Sequence, residues 1–449
     1  MDTSKKQAKD KSKKRFKLLT DLEYKKKLKK GRRFFIYKTF KTPFSSGIFR
    51  IWLPLATLVT FFLMVFYGRG EEGRLFLMSP FLLVPIKLVK LVFKTEGFFL
   101  SFLIVSLFFS LTPIAIAFFQ YFITRNRQIT FFSTLLFCVT FWWALLINQI
   151  DSPRVLLKFA EGEHIAAPPV LLTATLFFWN FLKVGTVKKL LAASVSIGFL
   201  VLFSKTAFLA FLVFLGIFSL SEIFLKSTKT TLKRVILAFV CTAGLVSFWY
   251  NPHFVMEALK LSFEFDLFKK VFSLFPLMLW LVPVASVVVF LLFNQVPARQ
   301  PLFINLTIFL VTSLSLFAWY SFDFFVWPMP GRFVWEFLIG ASLFGGFLLE
   351  LLSARLGVFL KKKLDFEEWQ LVVLVNCIRL LFVVLWAAGF ASLFAKFYEG
   401  SLLELEGWQR EKGLLAFIGL RYLPQMVLGF FISFATVWWI YRNRERIIS

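Results

Sequence analysis

Residues 51–74 read IWLPLATLVTFFLMVFYGRGEEGR, and the reading of this stretch decides the class of fold. Its apolar first part, 51–67, opens a series of runs of roughly 20 residues, each long enough as a helix to cross a ~30 Å hydrocarbon core. Just upstream lies a basic arm that includes Lys25, Lys26, Lys27, Lys29, Lys30, Arg32 and Arg33. Just downstream come Arg69, Glu71, Glu72 and Arg74. Positive charge before the first span places the N-terminus on the cytoplasmic side and the loop carrying Glu71 and Glu72 outside.

The composition agrees with that reading. Hydrophobic residues make up 59% of the chain and the mean hydropathy is +0.76, which excludes an ordinary soluble domain. A net charge of +27 would suggest a nucleic-acid partner in a soluble protein. Here the lysines and arginines fall in the N-terminal arm and in every second loop, the positive-inside pattern, and no nucleic-acid partner is expected. The arm, residues 1–50, instead suits anionic headgroups of the cytoplasmic leaflet, at ~1 kcal/mol per basic residue near the surface. It lacks the short apolar core and small-residue cleavage site of a signal peptide. Cys138, Cys241 and Cys377 all lie within apolar runs and form no CxxC or Cys/His spacing, so neither a disulfide framework nor a zinc site is indicated.

Working outward, further spans are expected at 98–123, 129–148, 169–183, 190–204, 207–225, 235–250, 271–293, 302–320, 332–352, 371–390 and 414–441. The inner turns then receive Arg125 with Arg127, Lys188 with Lys189, Lys226 to Arg234, Arg299, Lys361 to Lys363, and the basic tail. Residues 76–93 contain Pro80, Pro85, Lys87 and Lys90 and are read as an interfacial or re-entrant helix on the outer side. The expectation is an all-α polytopic bundle of about 12 spans, with both termini cytoplasmic: a basic arm at 1–50, a membrane domain at 51–441 and a basic tail at 442–449. Its tightest turn, at 204–206, would place Lys205 outward.

This topology gathers Glu71, Glu72, Asp151, Glu161, Glu163, His164, His253, Glu257, Glu264, Asp266 and Asp323 on the outer side. The positive-inside rule by itself leaves outer loops acidic. It says less about the polar island at 148–169, NQIDSPRVLLKFAEGEHIAAPP, where Glu161, Glu163 and His164 cluster beside paired prolines. Four ionisable residues lie in or at the edge of spans: Arg332, Glu336, Arg379 and Arg421. A charge at the bilayer centre costs about 2.5–3.5 kcal/mol on insertion scales, so such residues pair or face a cavity. Arg332 and Glu336 are spaced i, i+4 and can pair along one helix face; alternatively Arg332 grips a phosphate or carboxylate. The stretch 321–336, SFDFFVWPMPGRFVWE, brings interfacial aromatics to a Pro-x-Pro-Gly turn that sets where Arg332 begins its span.

Glu71-Glu72 after the first span, the amphipathic 76–93 segment, GEHIAAPPVLL at 162–172 and PGRF at 330–333 together resemble the layout of the GT-C superfamily of integral-membrane glycosyltransferases. The resemblance implies sugar transfer on the outer face of a cell membrane from a polyprenyl-phosphate donor. It implies that Glu71 or Glu72 acts as base on the acceptor hydroxyl or helps hold a divalent metal. Arg332 and His164 are then candidates to stabilise the leaving phosphate, and Glu163 and Asp323 to bind substrate. Two other classes remain open: a transporter or flippase with its arginines lining a path near the midplane, and a non-catalytic membrane scaffold whose outer acids are solvated.

Overall fold

The computed structural model describes residues 46–67, 88, 91, 97–147, 162–225, 228–256, 260, 299–322, 333–363, 368–405 and 423–443. Among them the regular structure is all helix. In chain order these are α1 (Ser46–Tyr67), α2 (Gly97–Ser110), α3 (Thr112–Thr124), α4 (Arg127–Ile147), α5 (Gly162–Ala166), α6 (Pro168–Val184), α7 (Val187–Phe203), α8 (Lys205–Leu225), α9 (Thr228–Val246), α10 (Arg299–Phe322), α11 (Val334–Lys363), α12 (Glu368–Leu405) and α13 (Leu423–Arg442).

Five described stretches are long and apolar enough to cross a membrane: Phe102–Thr124, Arg127–Ile147, Val334–Gly357, Trp369–Lys396 and Pro424–Arg442. Shorter apolar helices run over Arg50–Phe66, Pro168–Val184, Ala207–Ile223 and Gln300–Leu314. The helical bundle expected from the hydropathy pattern is therefore present. The expected span at 271–293 and nearly all of the interfacial segment at 76–93 lie outside the described residues.

Local chemistry explains where the helices break. The run at 98–123 is interrupted at Leu111, because Pro113 offers no amide hydrogen for the α-helical ladder and crowds the preceding turn. Arg125 ends α3 in the left-handed region at φ 54°, and the Asn126 side chain caps α4 by accepting the Gln128 amide at 2.8 Å. Gly185 ends α6 at φ 71°. A side chain there would also collide with the Arg234 guanidinium, which donates to the Leu182 carbonyl. Between α7 and α8 a single extended residue, Ser204, makes the turn; its hydroxyl accepts the Ala207 amide at 3.2 Å and so caps α8.

Two groups of helices make the bundle. In one, α11 packs most extensively on α4 and also contacts α10, α12 and α3; in the other, α6 gathers α7, α8 and α9, with α13 outside on α9. Helix α3 joins them through α4 and α6, and α8 joins them through α10. Close approach of α11 to α4 requires Gly346, where an added Cβ would lie 2.5 Å from the Ser133 amide nitrogen. Polar threads tie further pairs: Gln120 of α3 donates to the Leu343 carbonyl of α11 at 3.1 Å, and Trp142 of α4 to the Thr60 hydroxyl of α1 at 3.2 Å. Much of the remaining core is aromatic, in offset and edge-on contacts such as Phe109 with Trp335 at 4.9 Å and Trp179 with Phe218 at 5.2 Å.

The longest helix, α12, has 38 residues and keeps residues such as Leu380, Leu385 and Trp369 exposed along its outer face.

Candidate functional site

The described part of the polar island is one turn of helix, α5, folded into the bundle rather than standing off it. Ile165, Ala166 and Ala167 are wholly buried and anchor the turn against α2, α6 and α8. Pro168 and Pro169 then occupy the first positions of α6, where a missing amide hydrogen carries no penalty. The chain is handed over by the Ala167 amide donating to the His164 carbonyl at 3.1 Å. As a result Glu163 and His164 are carried inward, at 7% and 4% exposure.

Opposite them is the start of α11. His164 Nε2 lies 3.5 Å from Glu336 Oε2, within ion-pair distance and long for a hydrogen bond. Glu336 sits in the first turn of its helix, where the macrodipole favours a carboxylate. Its neighbour Trp335 packs on Phe109 at 4.9 Å and on Phe394 at 5.3 Å, so the backbone that presents Glu336 is held from two sides. A fourth group comes from the segment after α9. Tyr250 is partly buried, and its hydroxyl donates to the Val201 carbonyl at 3.4 Å. Its phenol lies within electrostatic reach of the Glu163 carboxylate.

The structure thus brings together Glu163 and His164, as the sequence suggested, and adds Glu336 and Tyr250. Glu71, Glu72, Asp323 and Arg332 lie outside the described residues, and so does any pairing of Arg332 with Glu336. The residue found facing Glu336 is His164. That contact sets a carboxylate beside the imidazole.

Two further buried polar clusters lie away from α5. Along α11, Glu350 is 14 residues beyond Glu336, about 21 Å at 1.5 Å per residue. Its Oε2 accepts Arg379 Nη2 of α12 at 2.9 Å; Arg379 also donates to Ser353 Oγ at 3.0 Å and Asn376 Oδ1 at 3.3 Å, and its guanidinium lies 5.3 Å from the Phe132 ring centre. Toward the far end of α6, Trp179 Nε1 and Gln300 Nε2 donate to the buried Glu222 carboxylate at 2.9 and 2.7 Å, while Lys183 Nζ sits 3.3 Å from the Trp179 ring centre. Arg379 was legible as an embedded charge, but its partner Glu350 and the acid Glu222 were passed over. The available signal was one isolated acid in each apolar run, SLSEIFL at 219–225 and FLLELLS at 347–353.

Among the described residues no group of three or more His, Cys, Asp or Glu side chains is placed to hold a metal ion. The divalent metal that the GT-C resemblance allows would depend on Glu71 and Glu72, outside those residues. No protein-family model, curated protein or solved structure matches the chain.

Proposed function

We propose that the protein is a GT-C-like membrane enzyme of about 12 spans, both termini cytoplasmic, that transfers a sugar from a lipid-phosphate donor to an acceptor on the side where α5 lies. The observation that carries this reading is the burial of Glu163, His164 and Glu336 at one end of an apolar bundle. A scaffold with merely solvated outer acids has no reason to bury three ionisable groups there, since each buried charge must be offset by a partner.

In the proposed reaction the Glu71 or Glu72 carboxylate takes the proton of the acceptor hydroxyl. The oxygen then forms a bond to the anomeric carbon, and the carbon–oxygen bond to the lipid phosphate breaks, its electron pair leaving on the phosphate. Arg332 stabilises that developing charge, and Asp323 and Glu163 bind sugar hydroxyls. Glu336 orients His164 toward the substrate, making it a positioning residue. Donor turnover in reconstituted vesicles tests this: Glu71→Gln, Glu72→Gln and Arg332→Ala are compared with wild type, and a general base contributes about 10²–10⁴-fold. Unchanged transfer in all three overturns the assignment.

A second reading, a transporter or flippase, is favoured by the Arg379–Glu350 pair buried well inside the span of α11. Anionic-lipid flux without donor turnover in vesicles of the wild-type protein would favour it.

A further inference from the structure

At the end of the bundle away from α5, two helices packed on each other stop in the same left-handed backbone but on different residues. Gly185 ends α6 at φ 71°, and Arg125 ends α3 at φ 54°. Glycine takes that backbone freely, whereas a residue with a Cβ takes it at a cost. Arg125 is held there over a ring, its guanidinium carbon 4.8 Å from the centre of Phe122. Phe122 in turn meets Trp179 of α6 edge-on at 5.5 Å, and Lys183 Nζ lies 3.3 Å from the centre of the Trp179 ring. Two cations from two helices therefore flank one aromatic pair.

That pair is braced from behind. Trp179 Nε1 and Gln300 Nε2 donate to the same oxygen of the buried Glu222 carboxylate, at 2.9 and 2.7 Å. An indole that donates to a carboxylate carries more electron density on its face, which tightens its hold on the Lys183 ammonium. Arg234 of α9 brings a third positive charge to the same helix end, where it donates to the Leu182 carbonyl. Along α3, Tyr121 and Phe118 precede Arg125 by four and seven residues, on the same face, and are 40% and 67% exposed. The charges thus stand at the head of an open apolar stripe.

We infer that this end of the α3–α6 seam is a binding site for an anionic phospholipid. Arg125 and Lys183 take its phosphate from the two sides of the Phe122–Trp179 pair, and one acyl chain lies along α3 over Tyr121 and Phe118. The arginine offers a planar fork of donors to phosphate oxygens and the lysine a point charge. A phosphatidylcholine has the same phosphate and chains, but its trimethylammonium cancels the charge and is repelled by three cations. The site is distinct from the N-terminal arm and does not rest on the transferase reading.

The test places the full chain in phosphatidylcholine vesicles with a trace of phosphatidylglycerol carrying a photoactivatable diazirine in one acyl chain. A parallel sample carries the diazirine in phosphatidylcholine, and labelled peptides are mapped by mass spectrometry. The expected result is phosphatidylglycerol label on 118–125 in excess over the exposed rings of Phe431 and Phe434 on α13. It should fall about fivefold in Arg125→Gln and in Lys183→Gln, the effect of removing one basic residue near a lipid surface. Arg125→Lys keeps the charge and most of the label. Arg442→Gln, which removes a cation beside Trp438 of α13, leaves the label on 118–125 unchanged. Equal labelling of 118–125 by the two probes overturns the inference. So does a loss in Arg442→Gln as large as in Arg125→Gln, which would mean general surface charge, or labelling indifferent to every substitution. Arg125→Lys labelling no better than Arg125→Gln also overturns it, since the loss would then follow the fold and not the charge.

Discussion

Removing Arg379 should be among the most damaging single changes in the bundle, and removing its partner as well should largely repair the damage. Glu350 and Arg379 are 1% and 4% exposed in their side chains, and their contact at 2.9 Å joins α11 to α12. In Arg379→Met the Glu350 carboxylate is left buried opposite a thioether, and losing one partner of such a pair costs about 3–5 kcal/mol. Glu350→Leu should cost less, about 2–3 kcal/mol, because Arg379 keeps its bonds to Ser353 and Asn376 and its place beside Phe132. The double variant removes both charges and refills the space with apolar atoms, so its stability should lie within about 1 kcal/mol of wild type. The coupling energy of the cycle is then on the order of 4 kcal/mol or more. Steric-trap unfolding in bicelles reads these differences directly. A double variant as unstable as the two single losses added together would refute the reasoning, since it would mean that the charges act separately.

Three other outcomes follow from the same kind of geometry. Gly346→Ala should destabilise by about 1–3 kcal/mol through overpacking, because the new Cβ would collide with Ser133 Oγ and sit 2.5 Å from its nitrogen; thermal unfolding in detergent measures it, and an unchanged midpoint would show that α4 and α11 can separate freely. Gly185→Ala combines a left-handed backbone with displacement of Arg234, for a loss of about 1–2 kcal/mol; repeating it in an Arg234→Ala background should leave the backbone part alone. Trp179→Phe deletes the indole donor to Glu222 and should cost about 1–2 kcal/mol, visible as faster proteolysis of the folded protein, with Gln300 limiting the damage.

The helical class could be read from hydropathy because an apolar run of roughly 20 residues has few alternatives in a bilayer. Turns were legible where chemistry is local: paired prolines start α6, and Ser204 breaks the chain in the expected tight turn at 204–206. Partner choice was not legible, because it depends on which helices pack together. Spacing alone offered Arg332 as a neighbour for Glu336, since i, i+4 is visible in one dimension; the approach of α5 to α11, which sets His164 opposite Glu336, joins positions 172 residues apart and leaves no mark in either segment. The same reason hid Glu350, whose partner is on another helix. The island looked like an exposed loop because its residues are polar, and its buried turn is fixed by Ile165, Ala166 and Ala167, which composition makes easy to overlook.

The length of α12 has its own consequence. Thirty-eight residues at 1.5 Å each make a rod of about 57 Å, nearly twice the ~30 Å of a hydrocarbon core. Such a rod must lean, project beyond the headgroups, or both. A buried ion pair about a third of the way along, at Arg379, ties it to its neighbour, while its outer face stays exposed and apolar. Beyond Arg379 the helix is held by rings, Trp386 and Phe390 on Phe309 and Phe394 on Trp335, the residue before Glu336. A change in the lean of α12 would therefore be felt at two aromatic contacts that flank Glu336, Phe394 on Trp335 and Phe390 on Phe337.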